Sequence, residues 1–346
     1  MKIHRIWQVG VLGLVLANGA ANTCISAFAA EPMPVNFVPP EQRNAAIRYL
    51  IAMIYLTPER SEKLKAVDFA KLGTNIEPSA MSLEFNEAAK LDNSGLLQWT
   101  IDGTGMSHCN FESNYEAGIG ALLPQLGNMR QLAKALRLDA RIQLTKGNAD
   151  LAAKRVVAIL HMGAHLKQDS WLIGALLGAA IDHTAFAETI AIAESPALTD
   201  AGRKELLSVL HALDTSDPLH YEQAIAVERG SIIPWLTKKA AAPDAWTQLK
   251  AELFEGESGP NITLSDEEVR VQIGQLGPAY DAFVVAVSSQ TSDADAKKFD
   301  EKAHAGEWGT LAAIMMPAVE NMRSSERKYR ADLQKAIAAL ETPAKK

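Results

Sequence analysis

Cysteine is scarce in this sequence, and its scarcity limits how the fold can be stabilised. The 346 residues include two cysteines, Cys24 and Cys109. Cys24 falls in an N-terminal segment that we expect to be cleaved, so Cys109 would stand alone in the mature chain. One cysteine cannot form a disulfide within its own chain, which excludes the disulfide frameworks of many small exported proteins. The stability of the fold must therefore come from a packed core.

Aromatic residues and β-branched runs are also few. Aromatic residues make up 6% of the sequence, against 48% hydrophobic and 22% charged residues. This composition, rich in alanine, favours helices over sheets. One stretch, LLQWTID at 96–102, alternates apolar and polar residues and predicts a short strand without an identifiable partner. We predict an all-α fold of stacked antiparallel helical hairpins, arranged as an irregular bundle or a short solenoid-like array.

Basic residues do not outnumber acidic residues. The formal net charge is −7, and losing the two cations Lys2 and Arg5 with the N-terminal segment, which contains no acidic residue, changes it to −9. Neutralising nucleic-acid phosphates requires clustered Lys and Arg side chains. The charge therefore argues against a nucleic acid as the partner.

Residues 1–29 predict an export signal. Lys2 and Arg5 precede an apolar stretch at 6–16, and small residues lead to Ala29, which is the order found in a cleavable secretory signal. The apolar stretch falls short of the ~20 residues of a membrane span, so an uncleaved anchor is the less favoured alternative. We expect cleavage near Ala29, no membrane span in the mature chain, and a location in the periplasm, the cell envelope or the extracellular space.

Helical periodicity dominates the middle of the chain. It is seen in four consecutive segments, 124–146, 148–167, 170–194 and 198–214. Gly147 and Asn148 separate the first two segments, a connection too short for anything but an antiparallel hairpin. The third segment opens with eleven consecutive non-polar residues, which predicts a buried helix rather than a membrane span. Gly174 and Gly178 would let a neighbouring helix approach it closely.

Further signals organise the C-terminal part. Pro234 is expected to kink or break its helix, and Ser265 with Glu268 forms a capping-box pattern. A final helix from Pro317 places one apolar stripe at helical spacing. The members of this stripe are Val319, Met322, Tyr329, Leu333, Ala336, Ile337 and Leu340.

We derive the following organisation from these signals. It comprises a signal peptide (1–29), an extended linker (30–40), a main helical domain (41–254), a loop (255–264), C-terminal helices packing on the main domain (265–341) and a disordered tail (342–346). Residues 150–161 also echo residues 200–211 at a period of fifty residues. Such a period is typical of stacked helix pairs, although alanine-rich helices also produce it by chance.

Three stretches carry a resemblance to known proteins. They are PQLGNMRQLAKALRLDARIQLTKGNADLAAKRVVAILHMGAHLKQDSWLIGALLG (124–178), ERGSIIPWL (228–236) and MMPAVENMRSSERKYRADLQKAIAAL (315–340). Together they resemble a group of uncharacterised exported helical proteins from bacteria, over about half of the mature chain. The resemblance implies export and a helical fold, and the group has no established activity to carry over. In that group the last helix continues into Tyr-Arg and Gly-Tyr-Pro, which do not follow Leu340 here, so a shared C-terminal role is in doubt. Residues 138–166 also loosely resemble a tetratricopeptide helix pair.

The pair His108-Cys109 is the first candidate for chemistry. A nucleophilic cysteine needs a base nearby and a field that lowers its pKa, and one adjacent histidine establishes neither. A zinc-type site usually brings more Cys or His at close spacing. A buried structural thiol is the favoured interpretation of Cys109.

Three histidines form the best candidate metal site. His161 and His165 are four residues apart in one helix, so their rings share a face, as paired metal ligands require. His183, with Asp182 and Glu188, lies on the next antiparallel helix and would approach them. These residues predict a site for a divalent transition metal. The alternative is a polar, solvated or groove-facing edge of the helix.

A basic ridge lies on the helix that starts near Pro124. It consists of Arg130, Lys134, Arg137 and Arg141, which are spaced to share one narrow arc between apolar strips. Such a ridge can line a groove and bind an anionic ligand or an acidic helix of an envelope protein. The alternative is structural pairing with acids such as Glu112, Glu116 or Glu188.

No motif in the sequence is tied to one reaction. Gly103-Thr104-Gly105 is not followed by the pattern of a dinucleotide-binding loop, and no GxSxG, P-loop or HExxH motif occurs. We therefore predict an exported, non-enzymatic helical protein that binds or scaffolds in the periplasm or cell envelope, without a cofactor. The alternative is a metal-binding protein or metal-dependent enzyme that uses His161, His165 and His183.

Overall fold

The computed structural model describes residues 43–69, 82–91, 93–120, 123–168, 171–253 and 263–342, and these belong to one compact unit. The α-helices are α1 (Ala45–Ile54), α2 (Pro58–Ala66), α3 (Leu83–Ala89), α4 (Ser94–Thr104), α5 (Pro124–Thr145), α6 (Ala149–Gln168), α7 (Leu172–Ala193), α8 (Asp200–Leu213), α9 (Tyr221–Ala240), α10 (Ala245–Leu253), α11 (Asp266–Val287), α12 (Asp293–His304), α13 (Gly309–Met315) and α14 (Val319–Glu341). Within these ranges β-structure is limited to one isolated bridge, between Asn44 and His108. The all-α prediction is confirmed. The predicted signal peptide and linker, residues 255–262 of the predicted loop, and residues 343–346 of the predicted tail lie outside the described residues.

The stretch predicted as a strand, LLQWTID, is part of helix α4, so that prediction is wrong. Its buried residues follow helical spacing, with Leu96 and Thr100 facing inward and Gly103 against the Tyr49 ring of α1. The apolar alternation is therefore incidental. A helix satisfies its own backbone hydrogen bonds, whereas an isolated strand leaves them without partners.

Helices α5 to α8 alternate in direction. The α5–α6 hairpin turns at Gly147, which has a φ of 79°, a left-handed conformation that glycine adopts without strain. Asp139 of α5 and Arg155 of α6 form an ion pair at 2.6 Å across the hairpin. Asp150 accepts hydrogen bonds from the Thr199 amide at 2.9 Å and from the Thr199 hydroxyl at 2.8 Å. Helices α6 and α8 thus begin side by side, as stacked hairpins require.

Helices α6 and α7 pack with their backbones in contact. A Cβ atom placed on Gly178 would lie 2.6 Å from the carbonyl oxygen of Gly163, and one on Gly163 would lie 2.0 Å from Oδ1 of Asp182. The close approach predicted at Gly178 is therefore present. Because neither position has room for a side chain, both glycines set the distance between the helices.

A buried ionic network lies beside this contact. The Nζ of Lys167 donates to Asp182 Oδ2 at 2.8 Å and to the carbonyl of Pro218 at 3.0 Å. The Tyr329 hydroxyl donates to the same carboxylate oxygen at 2.8 Å. Lys167 and Asp182 are at most 1% exposed. This network joins α6, α7 and α14, and it pairs charges that would otherwise strongly disfavour burial.

Helix α7 is the most apolar long helix of the described part. It is long and apolar enough to cross a membrane by length and composition alone, and 61% of the relevant window is buried inside the protein. Such burial is typical of the central helix of a packed bundle.

Proline does not interrupt the C-terminal helices. Helix α9 continues through Pro234, so the expected break is absent. Residues on both sides of the proline, Ile232 and Trp235 among them, are buried, and their packing holds the helix despite the lost hydrogen bond.

The remaining C-terminal predictions concern capping and patterning. The capping box of Ser265 and Glu268 is confirmed at the start of α11. The apolar stripe of α14 is confirmed as well, because every predicted member of it is buried. Helix α9 precedes the predicted loop and α11 follows it. The two helices pack together through an Arg229–Asp281 ion pair and a hydrogen bond from Arg270 to the Ala240 carbonyl.

Candidate functional site

The structure divides the basic ridge of α5 into two halves. In the C-terminal half, Arg137 Nε donates to Glu188 Oε1 at 2.6 Å, and Arg141 donates to both carboxylate oxygens of the same residue. Arg141 and Glu188 are each 1% exposed. This half of the ridge is therefore structural and joins α5 to α7, as the alternative of pairing with acids predicted.

Lys134 is also engaged within the protein. Its Nζ lies 3.5 Å from the carbonyl oxygens of Leu64 and Lys65 in the last turn of α2. A cation at the C-terminal end of a helix interacts favourably with the helix dipole. Burial, followed by the neighbouring charges of Arg130 and Arg137, lowers the pKa of Lys134. Lys134 thus caps a helix beside a crowded group of cations.

Arg130 differs from the other three cations. It is exposed, and among the described residues it makes no hydrogen bond or ion pair. It stands at a cavity of about 340 Å³ between α5 and α7. The other lining residues are Leu126, Gly127, Ile173, Leu176, Leu177 and Ala180. We call this the α5/α7 groove. It contains one cation in an otherwise apolar wall.

Two residues of this wall correct the sequence interpretation. The run of eleven non-polar residues was expected to be buried, but Ile173 is 55% exposed and Leu176 is 41% exposed. A run of that length passes around all sides of a helix, and α7 is covered by its neighbours on only part of its circumference. The exposed side therefore contributes apolar residues to the groove.

The groove lies at the N-terminal ends of two parallel helices. The residues that precede α5 and α7, Leu123 and Trp171, offer no side-chain acceptor to the first amide groups. Helix N-termini carry partial positive charge and favour anions. The charge of Arg130 and the N-terminal end of α5 therefore act in the same direction, whereas the first amide of α7 already donates to the Glu228 carboxylate.

Two of the three predicted metal ligands share one face of α6. Nε2 of His165 lies 2.8 Å from the Met106 carbonyl, and Nδ1 lies 2.7 Å from the Tyr49 hydroxyl. Because a carbonyl only accepts, Nε2 carries the proton and Nδ1 accepts from Tyr49. Burial lowers the pKa of His165 to about 4. Nδ1 of His161 lies 3.0 Å from the Thr104 carbonyl.

His183, the third predicted ligand, lies elsewhere. Its Nδ1 is 3.3 Å from Asp332 of α14, and its ring contacts the edges of Phe186 and Tyr329. The proposed companions Asp182 and Glu188 are engaged with Lys167 and with the arginines of α5. Within the described ranges no three His, Cys, Asp or Glu side chains are placed to hold a metal ion. The three predicted metal ligands are therefore not brought together into one site.

Cys109 is a buried thiol, 1% exposed. The backbone around it anchors the start of α1, since the Ala45 amide donates to the His108 carbonyl at 2.8 Å and the Asn110 amide donates to Asn44 at 2.9 Å. The His108 side chain is exposed. This segment therefore has a structural role in seating α1.

One ionisable residue of interest was missed in the sequence. Glu228 of α9 accepts a hydrogen bond from the Leu172 amide at the start of α7, at 3.1 Å. Burial raises its pKa to about 7, although the same hydrogen bond acts to lower it. A single glutamate on a helix carries no sequence signal of such an environment. Glu228 does not line the α5/α7 groove.

Glu228 makes a testable contribution to stability. Because its folded-state pKa of about 7 exceeds the ordinary value of 4.5, its contribution is fully present below about pH 4.5 and is lost as the pH rises through about 7. We expect the stability of Glu228→Gln relative to the native protein to rise with pH across this window. Urea unfolding of both proteins at several pH values measures it.

The informative quantity is the difference in the free energy of unfolding between Glu228→Gln and the native protein at each pH. His165 has the opposite effect, because its lowered pKa destabilises the fold as the pH falls from 6.5 towards 4. That contribution is common to both proteins and cancels. A difference in stability that does not change with pH would contradict the assignment to Glu228.

Comparisons of this chain with protein-family models, with curated proteins and with solved structures find no match. Function therefore has to be inferred from the chemistry of the described residues.

Proposed function

We propose that this protein is an exported, non-enzymatic binding or scaffolding component of the periplasm or cell envelope. Its α5/α7 groove would hold an acidic amphipathic segment of an envelope protein. The observation that carries the proposal is the position of Arg130, an exposed cation in an apolar groove. The other cations of the ridge are already engaged by Glu188 and by the end of α2.

The shape of the groove supports an amphipathic partner. Ile173, Leu176, Leu177 and Ala180 follow helical spacing along one side of α7. A Cβ atom added to Gly127 would meet nothing within 4 Å, so the opposite wall leaves space above the backbone. A volume of about 340 Å³ admits a few apolar side chains. A partner helix can insert such side chains at positions three or four residues apart.

The charge of the groove supports an acidic partner. A carboxylate next to the inserted side chains would reach Arg130 and the N-terminal end of α5. Export is supported by the order of charged, apolar and small residues in segment 1–29. The proposal requires no catalytic step and no cofactor.

Reversing the charge of Arg130 should reverse the preference of the groove. We expect the native protein to bind a leucine/glutamate amphipathic peptide more tightly than a matched leucine/lysine peptide. In Arg130→Glu the affinity for the acidic peptide should fall by about tenfold or more, because a hydrogen bond to a charged group is lost and repulsion replaces it. Fluorescence anisotropy with labelled peptides measures both affinities.

Lys154→Glu is the matched control, because Lys154 is an exposed cation of α6 that does not line the groove. Leu176→Ser tests the apolar contribution and should weaken the binding of both peptides. Arg137 and Arg141 are unsuitable for charge reversal, since each is bonded to the buried Glu188. Equal affinity of the native protein for the two peptides, or an unchanged preference in Arg130→Glu, would refute the proposal.

A further inference from the structure

A pocket between α1 and α5 combines an apolar wall with a polar wall. Its volume is about 300 Å³, at the lower end of the range for small-molecule sites. We call it the α1/α5 pocket. The apolar wall is formed by α1, by the segment that follows α4 and by the first residue of α5, and its members are Leu50, Met53, Phe111 and Pro124. The pocket has room for one six-membered ring with its substituents.

The aromatic part of the apolar wall is held in place from behind. The Phe111 ring is stacked on the Tyr49 ring, with 6.4 Å between the centroids and an interplanar angle of 22°. Tyr49 is fully buried, and its hydroxyl donates to Nδ1 of His165 at 2.7 Å. Tyr49 therefore fixes the position of Phe111, whose partly exposed ring lines the pocket. The face of an aromatic ring carries partial negative charge and attracts the slightly positive C–H groups of a ligand.

The polar wall contains amides, a hydroxyl and one carboxylate. Its members are Glu112, Ser113, Asn114, Gln125 and Asn128. Among the described residues, the side chains of Glu112, Asn114 and Asn128 make no hydrogen bond or ion pair. Amides and hydroxyls both donate and accept hydrogen bonds, whereas a carboxylate only accepts. The wall can therefore pair with several hydroxyl groups at once, and Glu112 makes it unfavourable for an anion.

Gln125 has the best-defined orientation in this wall. It is 9% exposed, and its Nε2 donates to Oγ of Ser113 at 2.9 Å. This bond fixes the amide group and leaves Oε1 without a donor in the part of the chain that the structure describes. Because the Ser113 oxygen accepts from Gln125, the hydroxyl hydrogen of Ser113 is available to a ligand. The two side chains thus offer one acceptor and one donor side by side.

We propose that the α1/α5 pocket binds a neutral sugar unit of a glycan, with the C–H face of the ring on Phe111 and its aliphatic neighbours and the hydroxyls on the polar wall. A pyranose ring with equatorial hydroxyls has apolar faces and a polar rim, which match the two walls. Glu112 accepts from sugar hydroxyls and repels an acidic sugar. The inference is independent of the proposed function, because the pocket and the α5/α7 groove share no lining residue.

Cellobiose is the probe that tests the site. Glucuronate is the anionic counterpart, and sorbitol is a linear polyol without a flat C–H face. Titrations of the full chain followed by saturation-transfer NMR should give a Kd for cellobiose of about 1 mM, and binding of glucuronate and sorbitol about tenfold weaker or less. These differences separate a sugar site from a surface that binds any polyol.

Three variants assign the binding to the two walls. Phe111→Leu keeps an apolar side chain against Tyr49 and removes the ring, so cellobiose affinity should fall about fivefold. Asn128→Leu keeps the side-chain volume and removes the amide, so the affinity should fall about threefold or more. Glu112→Gln removes the charge, and glucuronate should bind more tightly to this variant than to the native protein.

Two further variants are the controls. Asn321→Leu replaces an exposed asparagine of α14, far along the chain from the pocket, and Arg130→Glu alters the α5/α7 groove. Both should bind cellobiose like the native protein. Circular dichroism checks that each variant is folded. Asn128→Leu keeps the test decisive if Phe111→Leu does not fold, because the Asn128 side chain makes no hydrogen bond to the described residues.

Absence of cellobiose binding at about 10 mM, equal binding of sorbitol, or a native affinity in Asn128→Leu would each overturn the assignment. A preference for cellobiose over glucuronate that is unchanged in Glu112→Gln would place the sugar away from this pocket and would overturn it too.

Discussion

Replacing Glu188 with alanine is expected to lower the free energy of unfolding by about 3–5 kcal/mol, the loss typical of a buried ion pair deprived of one partner. Glu188 accepts hydrogen bonds from Arg137 and Arg141, and the Arg141 side chain is 1% exposed. Arg141 would thus lose the carboxylate that neutralises it in the core. Urea unfolding monitored by circular dichroism measures the loss.

A paired replacement distinguishes a lost charge partner from a lost packing contact. In Glu188→Met/Arg141→Met both charges are replaced by apolar side chains, and such exchanges are often close to neutral. Arg137, whose side chain is 15% exposed and whose guanidinium group lies over the Phe69 ring, loses the same partner in both variants, so the comparison isolates the contribution of Arg141. We expect the double variant to be more stable than Glu188→Ala. A Glu188→Ala variant within about 1 kcal/mol of the native protein would show that the pair contributes little.

Adding a methyl group to the α6/α7 contact is expected to be the second large perturbation. In Gly178→Ala the new Cβ would lie 2.6 Å from the Gly163 carbonyl oxygen, so the two backbones must separate. Overpacking of this kind costs about 1–3 kcal/mol. Gly163→Ala should cost more, because its Cβ would displace the Asp182 carboxylate that binds Lys167 and Tyr329. Urea midpoints of both variants test the order.

Gly274→Ala is the matched control for the glycine variants, since its Cβ would meet nothing within 4 Å. There alanine should stabilise the helix by about 0.5–1 kcal/mol. If all three variants lost the same free energy of unfolding, the loss could not be attributed to the distance between α6 and α7.

The two expected results concern the helix that also forms the α5/α7 groove. Glu188 and Gly178 lie on the buried sides of α7, against α5 and α6 respectively, whereas Ile173 and Leu176 lie on its exposed side. The buried contacts hold α7 in place, and this positioning keeps the apolar residues beside Arg130. Mutations of the groove can therefore be kept apart from mutations of the core.

Local patterns predicted much of the fold. The α5–α6 hairpin, the capping box at Ser265 and the buried stripe of α14 follow from spacings of three to seven residues and from capping chemistry. The stretch LLQWTID was wrongly predicted as a strand, because its alternation fits a strand. Its packing against α1 decides which of its residues are buried. The break predicted at Pro234 is absent because packing around the proline holds the helix, and the sequence does not show those packing neighbours.

The candidate site was only partly predictable. The spacing of Arg130, Lys134, Arg137 and Arg141 placed them on one face, and pairing with Glu188 was one of two alternatives. Their division into paired and exposed cations depends on how far α7 covers α5.

The sequence by itself determined the all-α character, because alanine content, helical periodicity and capping residues act between neighbours along the chain. The tertiary structure alone decided which charges are neutralised and which apolar faces stay open. Those outcomes depend on residues far apart in sequence, such as Arg141 and Glu188, 47 positions apart, or Lys167 and Tyr329, 162 positions apart. Burial and ion pairing are properties of two surfaces in contact, and a single helix specifies only one of them.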